Sequence, residues 1–402
     1  MLPYFTPYST QNITESDKEM VIKALSSSHL TQGQYVEQFE QKIASYINTS
    51  HTIAYNSATS ALYAAFSTLR DYIDNSLFED CSMLANSTYL KHARDSKTYS
   101  IITTPISFVS TANMMLANNI LPIFADITMD GNINPKKLES CIREDTIAIC
   151  SVDYGGKSVD RVELREFANR NKILWISDSS HSFGAEFNNK KIASNNNEEA
   201  DMCIFSFHAV KPITTCEGGA LTTNNKIFAN NARLICSHGM IKKNHYNHDC
   251  LKLGFNFRMN ELSAALGISQ LDRLELFIAK REEIARFYDD YFKNNPYFYT
   301  PSIESYKKSS RHLYPVLLDP KYLCNKESII QELLSQNVGV QVHYKPIYHF
   351  TLYQELPISY TLLRNAEDFW RAELSLPCHQ NMDIALAKNI ADIILRTFKK
   401  IC

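Results

Sequence analysis

Apolar residues recur at helical spacing twice before the chain shows any strand. Residues 12–27 set Met20, Val21, Ile22 and Leu25 on one side behind a Thr14–Glu15 start. Residues 36–47 repeat the pattern with Val36, Phe39, Ile43, Ala44 and Ile47, and HLTQG (29–33) is a turn between the two. The period then changes. Thr52–Tyr55 reads as a strand, residues 56–60 as a turn of small polar residues, and 61–69 as a helix. Residues 71–98 are polar with weak periodicity and read as an insertion, a long loop with room for one short helix.

From Ser100 onward strands and helices alternate. Strands are expected at 101–104, 122–125, 146–152 and 173–177, the last ending at Asp178, with helices at 108–116, 135–142 and 161–170. Residues 203–207 read as a strand end, and Ala220 begins another apolar run. Asn260–Glu261 opens a long helix carrying Leu262, Ala265, Leu266, Ile268, Leu271 and Leu274, which continues as a charged helix through Arg286. Beyond it the pattern predicts a strand at 313–318, a helix at 329–334, a strand at 340–343 and a terminal helix at 387–398. This alternation means α/β, with a largely parallel sheet. It divides into a large domain over 1–275 and, over 276–402, a bridging helix with a smaller C-terminal domain. Ligands of such sheets sit at the carboxyl ends of the strands. There the sequence puts Thr103–Thr104, Asp153–Tyr154 and Asp178–His181.

Composition narrows the field. The chain has 402 residues, 45% hydrophobic and 21% charged, with a net charge of −2 and both signs scattered, so it has no electrostatic footprint for nucleic acid. It has no apolar run of about 18 residues. MLPYFTPYST has neither a basic start nor an apolar core, so no secretory signal is expected, and the expected compartment is the cytoplasm. The ten cysteines include no C-x-x-C pair and read as small buried apolar residues. HYNHDC (245–250) has the composition of a metal cluster but no second ligand group at a suitable spacing, and reads as a solvated loop. Gly156–Lys157–Ser158 imitates the tail of a phosphate loop, yet the glycine that motif needs five positions earlier is Ser151. No G-x-G-x-x-G is present either, which disfavours nucleotide-dependent kinases and dehydrogenases.

The candidate chemistry centres on FSFHAVKPITTCEGGA (205–220), where a single lysine, Lys211, lies between two strand-like segments. Its nearest charges in sequence are Asp201 and Glu217. A lysine shielded in apolar surroundings has a lowered pKa and can form a Schiff base with an aldehyde cofactor. A buried lysine paired with Glu217 explains this stretch equally well. Upstream, the strand–turn–helix of 52–69 outlines an anion site, with free N–H groups and the positive end of a helix. An ordinary helix cap by Asn56, Ser57 or Thr59 explains the same residues. The alternation of elements brings the turn Ser57–Ser60, Asp178 and Lys211 to one rim. Pyridoxal 5'-phosphate asks for these three: a helix N-terminus for its phosphate, a carboxylate for its ring nitrogen and a lysine for its aldehyde. Phe108 is placed to stack on its ring.

NSATSAL, TTPISF, SDSSHSFGAEF, FSFHAVKPITTCEGGA and GFNFRMNELSAALGISQL resemble the DegT/DnrJ/StrS sugar aminotransferase family. The resemblance runs from about residue 31 to the C-terminus, interrupted by 71–98. It implies the fold of type I pyridoxal-phosphate transferases (aspartate aminotransferase-like), a mostly parallel mixed sheet in the large domain with a smaller α+β domain. By resemblance Lys211 is the Schiff-base lysine, Asp178 the carboxylate on the ring nitrogen and His181 the polar residue beside the ring. Ala58, Thr59 and Ser206 match phosphate ligands, Phe108 the stacking aromatic, and Asn256 a phosphate ligand reaching in from the other subunit of a homodimer. Tyr8, Ser28, His29, Leu30, Thr31, His343, Tyr344, Lys345 and Pro346 match segments that contact a nucleotide-sugar, and Arg258 an anion contact.

Within the family, SFHAVKPITT, VDYGGKSVD, SHGM and QVHYKPIY are most similar to members that aminate C4 of a UDP-4-keto-6-deoxy-N-acetyl-hexosamine in pseudaminic acid biosynthesis. The expected donor is L-glutamate. The alternatives are another nucleotide-sugar 4-aminotransferase (bacillosamine- or perosamine-type), a pyridoxal-phosphate sugar dehydratase, in which a histidine replaces the lysine, or a non-catalytic homologue.

Overall fold

The structure is a computed structural model that describes residues 1–356 and 363–402. Two helices, α1 (Glu15–Leu25) and α2 (Gln34–Ile47), precede a seven-stranded sheet. Its strands are β1 (His51–Tyr55), β2 (Ser100–Thr103), β3 (Leu121–Phe124), β4 (Thr146–Val152), β5 (Leu174–Asp178), β6 (Met202–Ser206) and β7 (Gly219–Thr223). They lie in the order β1-β7-β6-β5-β4-β2-β3. The five strands from β3 to β6 are parallel, and β7 runs antiparallel to both its neighbours. The sheet is thus mixed but mostly parallel, and the architecture is α/β.

Side chains alternate across this sheet with period two. In β6, Met202 and Ile204 join the apolar cluster on one face while Cys203 and Phe205 join the cluster on the other. One face is covered by α3 (Ala58–Asp74) and α7 (Lys226–Cys236) through Leu62, Phe66, Leu69, Phe228 and Ile235. The other is covered by α2 and α8 (Glu261–Leu271) through Phe39, Ile43, Ala264 and Ile268. Burial on both faces explains why β4 reads as an unbroken run, TIAICSV, with every residue buried. A separate core, built on Ile284, Tyr288, Val316, Leu333, Ile390 and Phe398, packs α9 (Leu274–Phe292) against the C-terminal elements and takes in Leu2 from the other end of the chain. Among the described residues, no helix is long and apolar enough to cross a membrane.

Several elements differ from the sequence expectation, each for a local reason. α3 begins at Ala58, not at 61, because the Ser57 hydroxyl accepts the Ser60 N–H at 3.1 Å and caps it. Residues 71–98 are folded onto the core: α3 continues to Asp74, a helix spans Thr88–Ser96, and Phe78, Leu84, Leu90 and Ala93 are buried. In place of a helix over 135–142 there are two single turns, Pro135–Lys137 and Glu139–Cys141, anchored by buried Leu138. The expected long helix breaks between Leu271 and Leu274, where Arg273 turns to an ion pair with Asp17 and donates to the Asn12 side chain at 2.8 Å. Residues 340–343 form no strand. Gln341 alone bridges to Ser375, and the His343 N–H donates to the Glu373 carboxylate at 2.7 Å, a side-chain acceptor in place of a ladder. His248–Cys250, expected in a loop, pairs with Met240–Lys242 as an exposed hairpin.

The carboxyl ends of β4 and β5 are tied together by a buried ion network. Arg161 donates to Asp153 at 2.9 Å and to Glu199 at 2.7 Å, and Asp153 also accepts the Ser179 and Ser182 hydroxyls at 2.9 and 2.7 Å. Asp153 therefore works inward, fixing the loop that follows Asp178. Arg161→Met should strand Asp153 and Glu199 without their cation, at a cost of about 3–5 kcal/mol. The check is the urea midpoint at unchanged m-value; a wild-type midpoint would show that the network contributes nothing.

Candidate active site

Lys211 sits in the loop between β6 and β7. Backbone bonds close this loop: Phe207 N–H donates to Gly218 at 2.9 Å, Thr215 N–H to Phe207 at 2.9 Å, and Lys211 N–H to His208 at 3.0 Å. From the far N-terminus, the Ser9 hydroxyl donates to the Val210 carbonyl at 2.9 Å. The lysine is not paired with Glu217. That carboxylate is exposed and lies 3.8 Å from His208 instead, which removes the ion-pair reading. The partner of Lys211 Nζ is His312 Nε2 at 3.4 Å. Burial pushes the amine down to about 8, and only the charge of Asp178 acts against that.

Asp178 ends β5, and its carboxylate is held from two sides. One oxygen accepts the Thr111 hydroxyl at 2.7 Å; the other accepts the Ser180 hydroxyl at 2.5 Å and its N–H at 3.2 Å. Thr111 lies near the start of a helix spanning Ser110–Ala117, so strand and helix ends converge on this group. His181 follows three residues later. Its Nδ1 accepts the Gly155 N–H at 3.2 Å, which leaves Nε2 to carry the proton of the neutral ring and to donate to the Tyr344 hydroxyl at 3.1 Å. Burial, then the Lys211 charge, hold His181 well below the usual imidazole range. The His312 ring lies 4.4 Å from that of His181, centroid to centroid, and is held down by the same two causes.

The turn at the start of α3 closes against β7. A Cβ on Gly219 would lie 2.5 Å from the Ala58 nitrogen, so glycine is what permits the helix end to approach the strand. Gly219 pairs in register with Ser206 at the end of β6. Ala58, Thr59 and Ser206 are thus brought to one place. The N–H groups of Ala58 and Thr59 have no acceptor among the described residues, as the first turn of a helix leaves them.

The remaining expected residues fall into two groups. Tyr8, His343 and Tyr344 join the site. The rings of Tyr8 and His343 meet edge-on at 4.9 Å, and Tyr344 meets exposed Phe108 at 6.4 Å. The strap 343–346 is tied down by the Tyr154 hydroxyl donating to the His343 carbonyl at 2.7 Å and by Ile347 N–H donating to Pro105 at 3.0 Å. Lys345 extends over the Phe350 ring at 5.0 Å, and Pro346 leads into the turn after it. Ser28, His29, Leu30 and Thr31 are exposed and held to the start of α8 by the Glu261 N–H donating to Leu30 at 3.0 Å and by a Thr31–Asn260 bridge. Asn256 is exposed; its carbonyl accepts the Asn56 side chain at 3.3 Å, while Arg258 donates to the Ser237 hydroxyl at 3.1 Å. Sequence reasoning missed His312, Ser9 and Glu373. His312 lies 101 positions from its lysine, and nothing local in RHLYP announces that contact.

A buried free amine, a buried carboxylate and an open helix N-terminus fit the aldehyde, ring nitrogen and phosphate of pyridoxal 5'-phosphate. Comparison with known proteins points the same way. A profile described as the DegT/DnrJ/EryC1/StrS aminotransferase family matches residues 11–74 and 82–395, so the unmatched residues between lie inside the 71–98 segment. The UDP-4-amino-4,6-dideoxy-N-acetyl-beta-L-altrosamine transaminase of Campylobacter jejuni is 42% identical over 397 residues, 98% of each chain. The enzyme of the same name from Helicobacter pylori is 42% identical over 98% of this chain and 97% of its own. A solved structure, Helicobacter pylori PseC, an aminotransferase involved in the biosynthesis of pseudoaminic acid, superposes with a TM-score of 0.88 at 41% identity, covering 98% of this chain and 100% of that one. The pyridoxamine-phosphate form of the putative sugar aminotransferase Spr1654 from Streptococcus pneumoniae reaches 0.85 at 25% identity, covering 99% and 98%.

Gly219→Ala tests the cradle. The added methyl, 2.5 Å from the Ala58 nitrogen, must push the helix end away, so affinity for pyridoxal phosphate should fall by about tenfold or more. Titration followed by absorbance checks it; unchanged affinity would mean that this helix end holds no phosphate.

Proposed function

The chain belongs to the DegT/DnrJ/EryC1/StrS aminotransferase family and uses pyridoxal 5'-phosphate, and we propose that it moves the amino group of L-glutamate to C4 of a UDP-4-keto-6-deoxy-N-acetyl-hexosamine in pseudaminic acid biosynthesis. The observation that carries this reading is the Lys211 amine bonded at 3.4 Å to His312 Nε2, with no carboxylate ion pair among the described residues, and near enough to Asp178 for that charge to act on it. The substrate is read from the named activity of relatives at 41–42% identity over nearly the whole chain.

Pyridoxal phosphate, when bound, supplies an aldehyde that takes up the amino group and a ring that accepts electrons from the broken C–H bond. This chain's residues do the rest. Lys211 is the covalent anchor at rest. Once displaced, its amine takes the proton from Cα of glutamate and, in the second half, delivers a proton to C4 of the sugar. An amine with a pKa of about 8 suits both duties near neutral pH, since it neither holds nor refuses a proton strongly. Asp178, its oxygens fixed by Thr111 and Ser180, would hold the proton on the ring nitrogen. His181 would lie beside the ring, and Ala58, Thr59 and Ser206 would take the phosphate. Glutamate leaves as 2-oxoglutarate and the keto sugar leaves as the amino sugar, so nitrogen and protons balance. Tyr8, residues 28–31 and the strap 343–346 hold the nucleotide-sugar.

The same reading includes a homodimer in which Asn256 of one protomer completes the phosphate site of the other. The exposed apolar side chains of Leu251 and Leu253 beside it support that. It also includes a cytoplasmic location and the division at residue 275 into a cofactor-binding domain and a bridging helix with a small domain.

Two measurements test the proposal. Borohydride should fix the cofactor covalently on the Lys211 peptide, and Lys211→Ala should still bind cofactor while turnover falls by at least about 10²-fold; wild-type turnover in that variant would remove Lys211 as the base. Supplied with glutamate and a panel of UDP-4-keto sugars, the enzyme should yield the 4-amino product of the 6-deoxy-N-acetyl-hexosamine. Amination of a different sugar would move it to a bacillosamine- or perosamine-type activity, and a dehydrated product without nitrogen would overturn amine transfer.

A further inference from the structure

Among the described residues the Lys211 amine has one hydrogen-bond partner, and it is not a group that the resemblance names. His312 stands immediately before the strand Tyr314–Leu318 and is 1% exposed. Its Nε2 lies 3.4 Å from Lys211 Nζ, and its Nδ1 is buried with no partner among the described residues. A buried imidazole with one unpaired nitrogen costs free energy, so something fixes it there. The fixing is visible. Its ring packs against that of His181 at 4.4 Å, tilted by 51°, and its carbonyl accepts the guanidinium of Arg281 at 3.4 Å. Arg281 is itself fully buried and also donates to the carbonyls of Arg311 and Cys378 and to the Ser9 hydroxyl. Ser9 in turn holds the carbonyl of Val210, next to the lysine. Both partners of the Lys211–His312 bond are therefore gripped from behind by one guanidinium.

We propose that His312 is a positioning residue for the lysine: its ring receives the Lys211 amine whenever that amine is free, and fixes where the amine waits between the two halves of the reaction. This rests on the reading of Lys211 as the covalent anchor. An amine released from the cofactor at the end of a four-carbon stem would otherwise sample many rotamers in a desolvated pocket. Held at one point, it stays close to the carbon whose proton it moves and returns to the same place when the cofactor regains its aldehyde. The charged and titratable groups around the amine agree with this division of labour. Asp178 favours its ammonium form from one side. His181, His312 and His343 each keep their imidazole neutral, by burial first and the lysine charge second. Tyr344, bonded to His181, is also held neutral. Among the described residues no carboxylate forms an ion pair with the amine in competition with His312.

The test uses the enzyme converted by glutamate to its pyridoxamine-phosphate form, in which Lys211 is free. Labelling of the Lys211 peptide by acetic anhydride is followed by mass spectrometry against pH. The wild-type midpoint should lie near 8. In His312→Phe the pocket stays buried but the acceptor is gone, so the ammonium is disfavoured and the midpoint should fall by about one pH unit or more. His312→Gln, whose amide reaches the place of Nε2, should stay near wild type. His312→Asn, which is too short, should behave like the phenylalanine variant and decides the matter if that one does not fold. Turnover should fall with the midpoint, with KM for the sugar unchanged. Equal midpoints in wild type, His312→Phe and His312→Asn would overturn the proposal. Borohydride fixation on Lys211 in the same proteins in their pyridoxal-phosphate form, before glutamate is added, separates the two failures: without it in wild type the anchor reading fails, and with it only the role of His312 does.

Discussion

The site depends on burying one amine without giving it an anion. A lysine in contact with a carboxylate is locked as ammonium, useless as nucleophile or base. A lysine in plain water is protonated at neutral pH as well. Lys211 avoids both. Its loop is folded inward by backbone bonds, its nearest partner is an imidazole, and Asp178 acts on it by charge with no hydrogen bond between them. The one acidic residue near it in sequence, Glu217, is turned out to solvent toward His208. Desolvation then wins, since the distant carboxylate recovers only part of what burial takes away.

The same constraint explains the neighbours. Three imidazoles face the amine, and a second positive charge on any of them would repel it. Their burial keeps them neutral, so they can crowd a potential cation without penalty. The start of α3 follows the opposite rule. It is made of backbone N–H groups at a helix start, where the absent side chain of Gly219 lets strand and helix touch. An anion there is stabilised by dipoles and free donors, and no lysine or arginine is needed that would add positive charge near Lys211.

Much of this was legible because local sequence and local structure coincide. β4 falls where its apolar run placed it, and the α/β alternation and mostly parallel sheet followed from period and turn residues. Asp178 and His181 stood out because a strand ends there in small polar residues, and Lys211 because it is a single lysine between two strand-like segments. Legibility failed where a side chain decides the backbone. The Glu373 carboxylate takes the His343 N–H that a strand would have used, and Arg273 breaks a helix whose apolar spacing runs straight through it. It failed in 71–98 because burial there rests on a few residues, Phe78, Leu84 and Leu90, too widely spaced to show a period. It failed for His312 because a histidine ahead of an apolar strand looks the same whether or not a lysine lies opposite.

The ends of the chain, rather than the sheet, finish the pocket. The sheet supplies Asp178, Ser206 and the lysine loop, but these alone leave one side open. The N-terminal segment brings Tyr8 and Ser9, and the C-terminal part brings His312, His343 and Tyr344. Arg281 joins the two. Its guanidinium has no carboxylate partner among the described residues, is pushed down to about 10 by burial, and spends its donors on carbonyls and one hydroxyl from three separate segments. A planar fork of fixed donors suits that task, where a lysine would offer a single point charge. A cation buried this way is worth its desolvation only if the segments it gathers must meet at one place. Those segments meet around the amine of Lys211, so the same physical requirement that isolates the lysine from anions also dictates how the chain's two ends are folded over it.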